Sequence, residues 1–187
     1  LKNVLHRWEF TMQHKQGFYE KYVKRLIDIV CSLVVLVLFW WLYIILAILV
    51  RVKLGSPVLF KQQRPGKNER IFNMYKFRTM TDARDENGNL LSDKIRLTKF
   101  GKTLRATSLD ELPEIFNILK GDMSLVGPRP ERPEIAALYS ERIPEFDYRL
   151  KVKAGLTGYA QVYGKYNTTP YDKLKLDLMY IQNYSIL

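Results

Sequence analysis

Residues Ile29 to Val50 read IVCSLVVLVLFWWLYIILAILV, 22 consecutive positions without a charged side chain. As an α-helix at about 1.5 Å per residue, the run is about 33 Å long, enough to cross a bilayer hydrocarbon core of about 30 Å. No small-residue cleavage pattern comes after it, which argues against a removed signal peptide. A buried core helix would need protein on every side. The run therefore predicts a membrane-inserted helix. It divides the chain into a basic juxtamembrane segment (1–28), the inserted helix (29–50) and a polar domain (51–187). The chain begins at Leu1 and stops inside the pattern LDLMYIQNYSIL, which reads as a piece cut from a longer protein at one or both ends.

Outward from the run, residues 13–28 carry Lys15, Lys21, Lys24 and Arg25, and residues 51–66 carry Arg51, Lys53, Lys61 and Arg64. Four cations on each side leave the positive-inside rule no asymmetry to act on. Two topologies stay open on this evidence. One is an ordinary span with polybasic contacts to head groups at both ends. The other is a re-entrant helix whose two ends share the cytoplasmic face. Re-entry needs a break, and the run has neither Pro nor Gly. Trp40, Trp41 and Tyr43 near its midpoint favour a shallow bend, because such side chains prefer the interface.

The whole chain has 30 Lys and Arg against 19 Asp and Glu, a formal charge of +11 that calls for an anionic partner. Phospholipid head groups, nucleic acid and phosphorylated substrates all qualify. No nucleic-acid module is recognisable, and the cluster Asp110, Glu111 and Glu114 would repel a phosphate backbone, so nucleic acid is set aside. Cys31 is the single cysteine and lies within the apolar run, which excludes an intramolecular disulfide. His6 and His14 are the only histidines and are remote from the other polar candidates, so a histidine metal site or triad is not expected.

In the polar part, VLFKQQ and IFNMYKFRTM, separated by Arg64-Pro65-Gly66, predict a hairpin. TDARDENGNLLSD, with Asn87-Gly88, predicts a solvated loop rather than a calcium loop, since the spacing and the closing glutamate of such a loop are missing. Ser108 to Gly121 predicts a helix with Leu112, Ile115, Phe116 and Leu119 on one face and Lys120-Gly121 as its stop. Either Ser108 with Glu111 forms a capping box, or Asp110 caps and Pro113 falls in the first turn. Residues 131–150 predict a highly charged helix, and GLTGYAQVYGK a loop with a short extended piece. Tyr171 to Tyr184 predicts a helix whose Leu174, Leu178 and Ile181 belong either to the core or to a membrane-surface face.

An acidic helix start usually only caps. Here Lys76 and Arg78 precede the acidic pair, Arg105 lies five residues before Asp110, and Arg129 comes later, between Pro128 and Pro130. Those prolines restrict the backbone around Arg129, so its guanidinium loses little conformational entropy on binding. A carboxylate at a helix N-terminus among guanidinium groups is expected to keep a low pKa. It is then a candidate nucleophile or magnesium ligand, with the basic residues holding phosphate oxygens.

KRLID (24–28), FKQQRPG (60–66), YKFRTM (75–80), LDELPEIFNILKGDMSLVGPRP (109–130) and GLTGYAQV (155–162) resemble the bacterial sugar transferase family, the monotopic polyprenyl-phosphate phosphoglycosyl transferases. The resemblance runs through most of the chain from Lys24. It implies transfer of a phosphosugar from a nucleotide diphosphate sugar, a UDP-sugar, to undecaprenyl phosphate with release of UMP. Asp110 would carry the covalent phosphosugar, with Glu111 beside it and Mg2+ bound by both carboxylates and the diphosphate. Glu111 would either orient the metal or accept a proton. The family's basic residues match Lys76, Arg105 and Arg129; Arg78 lies in the same motif. Lys165, in GKYN, stands where many members have arginine. Members of the small class carry Ser-Pro mid-helix, where this chain has Trp40-Trp41.

The implied setting is the cytoplasmic face of the bacterial inner membrane, at the first membrane step of exopolysaccharide, capsule, lipopolysaccharide or glycoconjugate synthesis. Anionic lipids are implied partners, and a homo-oligomer is allowed. The expected fold class is α+β, mostly helical: one membrane-inserted, re-entrant helix, amphipathic interfacial helices, a small β-hairpin and a cytoplasmic-face catalytic domain over 51–187. The competing reading is a non-catalytic module that binds anionic membranes, motivated by charge alone.

Overall fold

The structure, a computed structural model, describes residues 17–164 and 167–183. A π-helical turn, Tyr19–Val23, leads into helix α1, Lys24–Leu54. Helix α1 ends where Gly55 takes φ +90° and donates its N–H to Arg51 O at 3.2 Å, the usual role of a glycine just beyond a helix. Strands β1 (Leu59–Pro65) and β2 (Ile71–Phe77) form the expected two-stranded hairpin. In β2 the alternation is visible in burial: Phe72 and Met74 are covered, while Ile71 and Asn73 are exposed. In the loop after β2, the Asp85 carboxylate accepts the N–H groups of Asn87 and Asn89 at 3.0 and 2.8 Å, a self-contained turn.

Helix α2 (Lys99–Ala106) is capped by Thr98, whose side chain accepts the Gly101 N–H at 3.1 Å. Beyond α2 the structure departs from expectation twice. The predicted continuous helix from Ser108 is a 3-10 turn, Leu109–Glu111, succeeded by helix α3, Glu114–Lys120. Ser108 sits at φ 55° without a side-chain cap hydrogen bond, so the capping box does not form. A cap needs an extended backbone at the capping residue, which the left-handed Ser108 does not supply. The stop is as expected: Gly121 has φ +94° and donates to Ile118 O at 3.0 Å.

Strand β3 (Met123–Val126) pairs in parallel with β4 (Ala154–Thr157), a second sheet that the loop-like sequence around GLTG conceals. Between them lie α4 (Pro133–Arg142) and a 3-10 helix, Pro144–Lys151. The single helix expected over 131–150 breaks here because Pro144 has no N–H to continue it. The last described helix, α5 (Pro170–Gln182), starts with Thr169 accepting the Asp172 N–H at 3.2 Å and Pro170 in the first turn.

The chain forms two compact units. One holds the described residues up to Cys31, Gln63–Phe72, and those from Ile118 onward; the other holds Ser32–Gln62 and Asn73–Asn117. The first has a core of Phe146, Val152, Leu174, Leu178, Tyr180 and Ile181, with Tyr148 among the residues packed on it. The apolar stripe of α5 is therefore core rather than membrane surface. In the same unit Asp28 Oδ1 accepts from Ser124 Oγ and from the Leu125 N–H, both at 3.0 Å, and Arg25 donates to the Leu119 carbonyl at 2.7 Å.

The second unit packs Leu46, Val50 and Leu54 of α1 against Phe77 and Leu104, with Leu42, Tyr43, Ala47, Val58, Phe100, Leu109 and Leu112 around them. Positions 43, 46, 47, 50 and 54 trace one face of α1. Away from that face and from the buried Lys24, Asp28 and Ser32, much of the helix is bare: Val30, Leu33, Val34, Val37, Leu38, Trp40 and Trp41 are all exposed. An apolar surface of that extent is not stable in water. Helix α1 runs unbroken through Trp40 and Trp41, so no bend occurs at that pair. The Trp41 indole donates to Leu38 O at 3.0 Å, satisfying its one donor without water.

Candidate active site

In the second unit, the 3-10 turn Leu109–Glu111 holds Asp110 at 7% exposure. The left-handed residue Ser108 makes that turn possible, and its carbonyl accepts the Glu111 N–H at 3.1 Å. Strand β2 delivers Lys76 to the same place. Its ammonium lies 2.6 Å from Glu111 Oε1 and 3.2 Å from Glu114 Oε1, and all three groups are largely withdrawn from water. Helix α3 and β2 are held in this relation by Asn117, fully buried, which accepts the Tyr75 N–H at 3.0 Å and donates to Asn73 O at 2.7 Å.

Burial pushes the Asp110 carboxyl above the ordinary aspartate range; Lys76 and Arg105 pull it back, while Glu111 adds to the rise. The expectation of a lowered pKa is therefore wrong in sign. Lys76 and Arg105 do act on Asp110, but sequence had no measure of how deeply the turn sits, and desolvation outweighs them. Chemically, the arrangement offers a poorly hydrated carboxyl with a cation on its flank, and a poorly hydrated carboxylate is the more reactive kind.

The candidate residues separate by their surroundings. Arg105 is exposed, and its Nε donates to Thr79 Oγ1 at 3.0 Å, which leaves the rest of the guanidinium to face outward. Arg78 is buried and committed to the fold: Nε donates to Met80 O at 2.7 Å, Nη1 donates to Ser56 O, and Nη2 pairs with Asp82. That is a brace for the Ser56–Pro57 turn. Arg129 belongs to the first unit, where it borders a small cleft of about 20 Å³ together with Pro128, Glu131, Phe146 and Arg149. Lys165 lies outside the described residues.

Three contributors lie within the quoted motifs but were not among the candidate site residues: Glu114 as the second carboxylate on Lys76, Asn117 as the clamp, and Thr79 as the Arg105 partner. Asn117 gave no signal, since it lies off the stripe of Leu112, Ile115, Phe116 and Leu119. Thr79 had a weak one, since it becomes visible only when Gly101 is seen to lie against its carbonyl. A Cβ at Gly101 would stand 1.9 Å from Thr79 O.

Comparison with known proteins gives this geometry a context. The family model described as bacterial sugar transferase matches residues 19–187. The uncharacterized sugar transferase EpsL of Bacillus subtilis is 46% identical over 163 residues, covering 87% of this chain and 79% of that protein. A UDP-N-acetylgalactosamine-undecaprenyl-phosphate N-acetylgalactosaminephosphotransferase from Aeromonas hydrophila is 38% identical over 88% of this chain and 40% of its own length. A UDP-glucose:undecaprenyl-phosphate glucose-1-phosphate transferase from Klebsiella pneumoniae is 40% identical over 87% of this chain and 37% of its own length. The chain spans about two fifths of the length of those last two relatives. With the model matching nearly all of its described length, the chain belongs to the bacterial sugar transferase family.

Proposed function

We propose that the chain transfers a sugar phosphate from a UDP-sugar to undecaprenyl phosphate through a phosphosugar bound covalently to Asp110. The observation that carries this reading is the buried Asp110 carboxyl flanked by Lys76 and Arg105, in a chain whose α1 presents a bare apolar surface. In the first step an Asp110 oxygen attacks the phosphorus that carries the sugar. The bond from that phosphorus to the bridging oxygen breaks, and UMP leaves with the electron pair. In the second step an oxygen of undecaprenyl phosphate attacks the same phosphorus and displaces Asp110, which regenerates the carboxylate. Positive charge near the phosphoryl oxygens lowers both barriers. Arg105 is proposed to supply it here; Arg129 is assigned to phosphate by its motif alone.

Among the described residues, no three carboxylate, imidazole or thiol groups cluster as a self-sufficient metal cage. Magnesium seldom needs one: it is commonly held by one or two carboxylates, substrate phosphates and water. The adjacent carboxylates Asp110 and Glu111 fit that donor set and would hold the ion with the diphosphate. When bound, it would neutralise charge on the phosphoryl oxygens. Lys76 offsets the charge of Glu111 and Glu114 and keeps Glu111 oriented beside Asp110.

The membrane reading comes from the exposed apolar face of α1, which runs from Val30 to Val52. From Leu42 onward one face of α1 is packed in the second unit. On its other side Ile44, Ile45, Ile48 and Val52 stay exposed, so the bare face continues alongside the packed one. We read α1 as inserted in one leaflet with both ends at the cytoplasmic face of the inner membrane. An unbroken helix achieves this by lying close to the membrane plane, with its exposed apolar face toward the hydrocarbon. The head-group depth of such a helix suits a lipid phosphate acceptor and the first membrane step of a surface-glycan pathway.

The test is UMP release with UDP-glucose, UDP-galactose or UDP-N-acetylgalactosamine, Mg2+ and undecaprenyl phosphate, with mass spectrometry of the trapped protein. Asp110→Asn is expected to abolish the adduct and UMP release. Full turnover in that variant would exclude the mechanism. Salt-sensitive liposome binding without any UMP release would favour a non-catalytic membrane module instead.

A further inference from the structure

In the first unit a second polar cluster surrounds the segment Gly127–Pro130. Three successive carbonyls there each have a donor. The Gly155 N–H reaches Pro128 O at 2.9 Å, Arg149 Nη2 reaches Arg129 O at 2.8 Å, and Arg64 Nη1 reaches Pro130 O at 3.1 Å. Pro128 and Pro130 have no N–H of their own and restrict their own φ. The main chain on both sides of Arg129 is therefore tied down.

Arg149 does more than donate to one carbonyl. The same Nη2 lies 2.7 Å from Asp177 Oδ2, and the guanidinium stands 4.6 Å over the Phe146 ring. Arg149 and Asp177 are 4% and 1% exposed at their side chains. Glu131 Oε1 is a more distant neighbour at 3.9 Å from Nη1, and Lys173 Nζ approaches Glu131 at 3.5 Å. An ion pair this far from water is poor evidence for stability, because its desolvation offsets its attraction and an apolar pair of similar volume would serve as well. What an apolar pair would not do is hold the Arg129 carbonyl. Asp177 orients the guanidinium, the guanidinium orients the peptide after Arg129, and helix α5 thereby carries the loop.

We propose that Asp177 and Arg149 are positioning residues for Arg129, fixing its main chain so that its side chain meets a substrate phosphate in one orientation. The proposal rests on the reading of Arg129 as a phosphate contact. Misplacing such a contact by a fraction of an ångström loses much of its benefit, because preorganisation is what makes it useful.

The experiment is a double-mutant cycle on the full chain, measuring the Kd of UDP and kcat/KM for the UDP-sugar that turns over. Arg129→Ala is expected to lower kcat/KM on the order of a hundredfold. Asp177→Asn should lower kcat/KM at least about tenfold and weaken UDP, yet change either less than about twofold in the Arg129→Ala background, since it acts through Arg129. Arg149→Lys, which keeps the charge but not the two-way contact, should repeat the pattern; it replaces Asp177→Asn if that variant does not fold. Leu178→Ala is the control for a merely structural effect: it should lower Tm with no such dependence on Arg129. Equal losses in both backgrounds, or full activity of Asp177→Asn, overturn the proposal alone. Full activity of Arg129→Ala, or wild-type protein that fails to bind UDP, overturns the Arg129 reading and the proposal with it.

Discussion

Lys76 serves two carboxylates at once, Glu111 at 2.6 Å and Glu114 at 3.2 Å. Replacing it by methionine leaves both acids largely buried without their ammonium partner, and breaking such a pair from one side costs about 3 kcal/mol or more. Lys76→Met is expected to lose that much stability in denaturant unfolding as well as its activity; unchanged stability would show that Glu114 has another sufficient partner. Lys153 is the opposite case. Burial lowers its pKa, Arg25, Lys67 and Lys24 lower it further, and Asp28 opposes them. A base whose folded pKa is depressed binds fewer protons folded than unfolded, so stability rises as pH climbs from the lowered value toward 10.5. Lys153→Met should therefore raise Tm at neutral pH, and the gain over wild type should shrink as pH approaches 10.5. A gain that persists unchanged at that pH would refute the charge explanation. Neither role is legible in sequence, because a lysine's neighbours are set by folding rather than by spacing.

Among the elements, the parallel pair β3 and β4 depends on a contact that leaves no room for a side chain. A Cβ at Gly155 would stand 2.2 Å from Gly127 N and 2.3 Å from Gly127 O. Gly155→Ala should force the strands apart at Ser124↔Gly155 and cost about 3 kcal/mol or more in thermal unfolding. Near-wild-type stability would mean that the pairing yields more easily than the geometry implies. The hairpin β1–β2 was readable because alternation and a Pro-Gly turn are local signals. The parallel pair was not, since its strands, Met123–Val126 and Ala154–Thr157, are short and far apart along the chain. The helix start at Ser108 misled for a related reason: S-x-x-E is a local pattern, and the left-handed backbone at Ser108 removes the geometry a cap needs.

For the whole molecule, the question that matters is where the two ends of α1 emerge. Cysteines placed near Lys21 and near Lys61, in a Cys31→Ser background, should both react with an impermeant reagent from the cytoplasmic side. Reaction from opposite sides would establish a span and remove the one-leaflet reading. The apolar run and its charged flanks made a helix long and apolar enough to cross a membrane evident at a glance. Which face of the helix is packed was invisible, because it depends on Leu46, Val50 and Leu54 being covered by Phe77 and Leu104.

The amino-acid sequence by itself determined the apolar helix, the hairpin, the family and the acidic pair with its basic company, because each is written in composition, periodicity or contiguous motif. Tertiary structure alone decided the burial that raises Asp110, the diversion of Arg78 into a brace, and the link from Asp177 through Arg149 to the Arg129 carbonyl. Those depend on desolvation and on contacts between residues distant along the chain, and neither quantity exists until the chain has folded.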